Sequence, residues 1–192
     1  MATISIRNSI IAGGETAQDN KTITVDNIIN ASESIVAGDA GTAGESGVMT
    51  LASGHGITSA DTVAVIWSSG FRYGCTVSSY DSTSVTLTGG AGDTLPTSGA
   101  VVVSVQQEID LAFSGTQMKA LSIGADIGII ATLEDSGGVK LAKQITSGEA
   151  YQWNESNGEV NPVTGDDIVK AHIYAQSTIE GTAKIIVGYD ND

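Results

Sequence analysis

A period of two runs through most of this chain. Thr3-Ile4-Ser5-Ile6 and Thr22-Ile23-Thr24-Val25 alternate polar with β-branched apolar residues, the pattern of strands with one buried face. Ser34 to Val36 predicts a further short strand. The run of small residues from Ala37 to Gly44 then reads as a linker. From there the punctuation becomes regular. Val48 to Leu51 is a short strand, and Thr62 to Trp67 sets Val63, Val65 and Trp67 on one face. Ser68-Ser69-Gly70 turns into Phe71 to Val77, with Phe71, Tyr73, Cys75 and Val77 expected on one face and Arg72 on the other. Val85 to Leu87 and Ala100 to Val105 follow, with a single 3₁₀ turn expected over residues 95–98.

Beyond residue 106 the alternation resumes at Ile109, Leu111 and Phe113. Ile127 to Leu133 is mostly apolar, as in a strand covered on both faces. Asp135-Ser136-Gly137-Gly138 turns into Val139 to Ile145, and Ile168 to Ala175 and Ala183 to Tyr189 close the chain. The best helix signal is a turn or two around Thr116 to Leu121, limited by Gly115 and Gly124. The expected fold is all-β with little helix: a β-sandwich built from residues 1–44 plus 107–192, with a small SH3-like β-barrel inserted over 45–106. The terminal strands are expected to pair with one another, because the first forty or so residues are too few to fold alone and inserts at exposed turns are well tolerated.

Composition supports short strands and tight turns. Of 192 residues, 24 are Gly and only two are Pro, and aromatics make up 5 %. Charge narrows the partners. Eight basic residues face 22 acidic ones for a net charge of −14, with the acids spread along the chain. No basic footprint exists to neutralise phosphates, so neither nucleic acid nor an anionic membrane is expected as a partner. The single cysteine, Cys75, cannot form an internal disulfide and reads as a small core residue rather than a reactive thiol. The opening Met-Ala-Thr-Ile-Ser-Ile lacks the basic and apolar regions of a secretion signal, so synthesis and folding in a cytoplasm are expected. On that expectation the two glycosylation sequons, at Asn30 and Asn154, are chance matches.

No catalytic, cofactor or metal site is expected. His55, in a Gly-rich turn, and His172, on a strand face expected to be half exposed, stand apart in the sequence, and one cysteine writes no zinc motif. No nucleophile elbow, P-loop or dinucleotide fingerprint occurs. The acidic pairs Glu134-Asp135, Asp166-Asp167 and Asp190-Asn191-Asp192 offer loop oxygens to calcium, but solvated turn acids are the preferred reading. Trp153 is either a core plug, which is favoured, or an interface anchor. Should there be an interface here, its candidate residues are Trp153, Asn161, Pro162 and Tyr189.

One resemblance adds to this. Ile145 to Trp153, then Asn161-Pro162-Val163-Thr164-Gly165-Asp166, then Ile168 to Ala175 and Ala183 to Asp190 follow one another in order. The order resembles the C-terminal part of small β-rich structural proteins of tailed phages and prophages. Those often carry a Trp-Asn-x-Pro-like segment before two strands ending near Tyr-Asp. Gly56 to Val63 and Phe71-Arg72-Tyr73-Gly74 look like barrels met in the same proteins. The resemblance covers about two thirds of the chain as a pattern and carries over no functional residue. It implies a non-enzymatic virion component, foremost a capsid decoration protein binding the major capsid protein, and a homo-oligomer such as a trimer. A tail or baseplate protein, or a receptor- or carbohydrate-binding module, is the alternative, and a hydrolase with dispersed catalytic residues ranks below both.

Overall fold

The computed structural model describes residues 16–25, 28–31, 33–37, 45–96, 99–115, 118–163, 167–176 and 181–190. In chain order the strands are β1 (Thr16–Val25), β2 (Ile28–Ala31), β3 (Glu33–Ala37), β4 (Ser46–Thr50), β5 (Thr62–Trp67), β6 (Gly70–Tyr80), β7 (Ser84–Thr88) and β8 (Ala91–Gly92). They continue with β9 (Val101–Val105), β10 (Gln107–Ser114), β11 (Met118–Ala125), β12 (Ile129–Asp135), β13 (Gly138–Ile145), β14 (Ala150–Asn154), β15 (Asp167–Ala175) and β16 (Gly181–Asp190). The fold is all-β and every strand pairing is antiparallel. No α-helix occurs among the described residues, and one 3₁₀ turn spans Glu155–Asn157.

The chain divides into two compact units. The first holds two four-stranded sheets, ordered β1-β16-β11-β14 and β10-β15-β12-β13. β1 pairs with β16 from Thr16↔Asp190 to Val25↔Gly181, the expected union of an N-terminal with a C-terminal strand. In β12, Ile129 to Leu133 are buried without a break, so this strand is covered on both faces as its mostly apolar run predicts. In the other sheet, Leu121 is flanked by Trp153 and Val187 across the strands, and all three side chains are buried.

The expected helical turn at 116–121 is overturned. Residues 116–117 lie outside the described residues, and Met118 to Leu121 lie in β11. Met118, Ala120, Leu121, Ile123 and Ala125 are the buried positions of β11. Pairing on both sides with β14 and β16 outweighs a weak local helix signal.

The second unit is one curled, half-barrel sheet, ordered β2-β9-β5-β6-β7-β4-β3, with β8 paired to β6. Its core gathers Met49, Leu51, Ile57, Val63, Val65, Cys75, Val77, Val85, Leu87, Leu95, Val101 and Val103, with Trp67 and Val105 packed against it. The expected division put residues up to 44 with the first unit. β2 and β3 instead pair with β9 and β4, inside the second, where each finds an edge strand to satisfy its backbone hydrogen bonds. The strand expected at 3–6 and the linker from residue 38 onward lie outside the described residues, as do residues 97–98 of the expected 3₁₀ turn.

The face expected on Phe71, Tyr73, Cys75 and Val77 is broken. Gly74 has φ of 67°, and the pairing shifts there from Val65↔Arg72 to Val63↔Cys75. One extra residue on β6 resets the alternation. Arg72 therefore joins Cys75 on the side of Val63 and Val65, and is only 4 % exposed.

Candidate functional site

A cluster of ionisable side chains lies on the sheet β10-β15-β12-β13. Antiparallel registry places Glu108, His172 and Thr132 in one row across β10, β15 and β12, and Asp110, Lys170 and Glu134 in the next. Directly opposed residues share a face, so these side chains meet although up to 64 residues separate them in sequence. His172 Nε2 lies 3.3 Å from Glu108 Oε2, and its Nδ1 lies 3.3 Å from Glu134 Oε2. Lys170 Nζ lies 2.8 Å from Glu108 Oε1. The Lys170 hydrogen bond, and after it that of His172, holds the Glu108 carboxyl below the usual glutamate range, and Glu108 in turn raises Lys170.

Two expectations fail here. His172 is 8 % exposed rather than half exposed, because the apolar positions around it on β12 and β15 are covered too. Glu134 and Asp135 are not solvated turn acids. They end β12, and the fully buried Asp135 carboxylate sits 2.8 Å from Lys140 Nζ while accepting from the Gly137 N–H. Asp167 opens β15 and is exposed, whereas 166, 191 and 192 lie outside the described residues.

The interface candidates fall differently. Trp153 is 3 % exposed and donates from Nε1 to the Glu159 carbonyl at 3.2 Å, so it is a core residue of its unit. Around it the loop is self-tied. Asn154 Oδ1 accepts from the Asn157 N–H and caps the 3₁₀ turn, and Gly158 closes it with φ of 69°. Asn161, half-buried, donates to the Gly115 carbonyl and accepts from the Val163 N–H, and Pro162 beside it is also half-buried. Tyr189 is in β16, opposite Ala17 and Met118; its side chain lies outside the described residues. Trp153 is buried, so its ring forms no part of an exposed patch, and the loop's most exposed apolar side chain is Val160.

In the second unit, sequence reading misses the role of Arg72. Its Nε, Nη1 and Nη2 donate to the carbonyls of Gly89 at 2.7 Å, Asp93 at 3.2 Å and Gly90 at 2.9 Å. Glu45 lies 3.6 Å away. His55 is likewise a staple. The Ile57 N–H donates to Nδ1 at 3.0 Å, which leaves Nε2 to donate to the Asp81 carbonyl at 2.8 Å. The Asp81 carboxylate accepts from the amides and hydroxyls of Thr83 and Ser84, and the Thr83 amide first of all lowers its pKa. Cys75 is buried, and that burial pushes its thiol up to about 11.

Among the described residues no three His, Cys, Asp or Glu side chains are placed to hold a metal ion. No protein-family model matches this chain, and no curated protein or solved structure matches it.

Proposed function

We propose that this protein is a non-enzymatic structural component of a tailed-phage virion, a capsid decoration protein that binds the major capsid protein. The observation that supports the reading is where the polar chemistry goes. Arg72, Asp135, His55 and Trp153 each direct their hydrogen-bonding groups at backbone or side chains of their own unit. A building block spends polar groups in this way, because its work is to hold shape and present a surface. On this reading the two sheets of the first unit pack as a sandwich, and the curled sheet of the second is an SH3-like barrel. The assembled form is a symmetric homo-oligomer such as a trimer, residing in the virion after folding in the host cytoplasm. The carbohydrate-binding alternative loses its main aromatic, since Trp153 is buried in its own unit.

Purified protein mixed with undecorated capsids is expected to co-sediment saturably and at fixed stoichiometry. Absence of binding overturns the decoration role. Recovery of the protein in isolated tails instead would move it to the tail or baseplate.

A further inference from the structure

The two histidines differ in what their surroundings ask of the ring. His55 meets one donor and one acceptor, so a neutral imidazole serves both. His172 meets a carboxylate oxygen at each nitrogen, Glu108 from β10 and Glu134 from β12, both at 3.3 Å. Carboxylates only accept, and only the doubly protonated ring has two donors. A neutral ring serves one carboxylate and turns a lone pair toward the other.

We propose that His172 is a proton-operated clasp that ties side chains of β10 and β12 to β15 when its ring carries two protons and lets go of one of the two carboxylates when it carries one. The ring sits on the middle strand of the three, so its hydrogen bond to Glu108 and its 3.3 Å ion-pair contact with Glu134 cross both seams. The charged groups facing it are Glu108 and Asp110 from β10, Lys170 from its own strand and Glu134 from β12. The facing position on β13, reached through Thr132, is the uncharged Ala142. Lys170 occupies one oxygen of Glu108 and leaves the other to His172. Low exposure of the ring keeps water from replacing a lost partner freely, which makes the proton count matter. The clasp tightens as the ring gains its second proton on acidification and loosens as that proton leaves. It thereby makes the cohesion of this sheet depend on pH, whatever surface the protein binds.

Thermal melting of the wild type and H172Q between pH 5.5 and 8.5 tests this, because glutamine can donate to only one of the carboxylates. The wild type is expected to melt higher at pH 5.5 by about 2–4 °C for each hydrogen bond's worth of stability, with the gap closing by pH 8.5. Nitrogen chemical shifts of the wild-type ring, assigned with H55Q as the reference, should report protons on both His172 nitrogens at pH 5.5. E134Q should reduce the wild type's pH-dependent gain. A gap that does not change with pH, or a bare ring nitrogen at pH 5.5, overturns the proposal. Should H172Q fail to fold, the ring shifts and E134Q decide it alone.

Discussion

Arg72 Nη2 donates to the carbonyl of Gly90 at 2.9 Å, and this bond fastens a loop to the strand that it would otherwise leave. The same guanidinium takes the carbonyls of Gly89 and Asp93, while the Asp93 carboxylate accepts from the Phe71 N–H. A planar fork with donors in three directions matches three carbonyls in a way that an ammonium cannot. R72M should therefore cost about 2–4 kcal/mol, and R72K somewhat less, since lysine recovers one carbonyl at best. Urea unfolding followed by Trp67 fluorescence, in a W153F background, reads the loss. An R72K midpoint equal to the wild type would show that the fork geometry is idle.

The loop also separates two neighbouring glycines. Gly89 and Gly90 both have positive φ, 70° and 76°. A Cβ on Gly89 would meet nothing within 4 Å, but on Gly90 it would lie 2.5 Å from the Tyr73 carbonyl oxygen and 2.9 Å from Cys75 Sγ. G89A should pay only for the left-handed backbone, about 1–2 kcal/mol, whereas G90A adds overpacking and should cost about 3 kcal/mol or more. Equal losses in chemical denaturation would contradict this placement of the loop.

The turn at Asp81 yields a pH signature at the acid end of the range. Its carboxyl is lowered mainly by the Thr83 amide, so the charged form is favoured in the folded state. The contribution is complete above the unfolded aspartate value of about 3.9 and is lost as pH falls through the lower folded value. D81A should melt below the wild type by a constant margin from pH 7 down to pH 5, and the margin should shrink below about pH 4. A margin unchanged at pH 3 would mean that the carboxylate's hydrogen bonds are not its source.

Much of the strand sequence was legible because many strands carry their own alternation, from Thr22–Val25 to Ala183–Tyr189. Three things were not. The bulge at Gly74 changes which face Arg72 takes, and a single glycine in a strand does not announce whether it bulges. Residues that meet by registry are hidden as well. Nothing near Glu108 in the chain points to His172, and only the pairing of β10 with β15 brings them together. Helix propensity misled at Met118–Leu121, where two neighbouring strands supply the hydrogen bonds that local sequence cannot foresee.

Cys75 offers a direct probe of the second unit's core. Burial raises its thiol to about 11, against a weaker downward pull from the Arg72 charge. At pH 8 only about a thousandth of it is thiolate, and the sulfur is also closed to reagent. A disulfide reagent such as DTNB should react slowly with the native protein and at once in urea. Rapid native labelling would place the thiol at the surface and undo the core described around it.

Trp153 decides between a core plug and an interface anchor by where its loss is felt. Leu121 and Val187 stand beside it in registry, buried like it, and its indole N–H is committed to the Glu159 carbonyl at 3.2 Å. W153A should cost about 3–5 kcal/mol of folding stability, as large-to-small changes in cores do. W153F, which keeps most of the ring but drops the donor, should cost about 1–2 kcal/mol because the carbonyl at the loop can be hydrated. Neither loss should depend on protein concentration, since the side chain is buried within one chain. Denaturation of W153F across a hundredfold range of concentration measures this. A deficit that fades on dilution would return Trp153 to the interface.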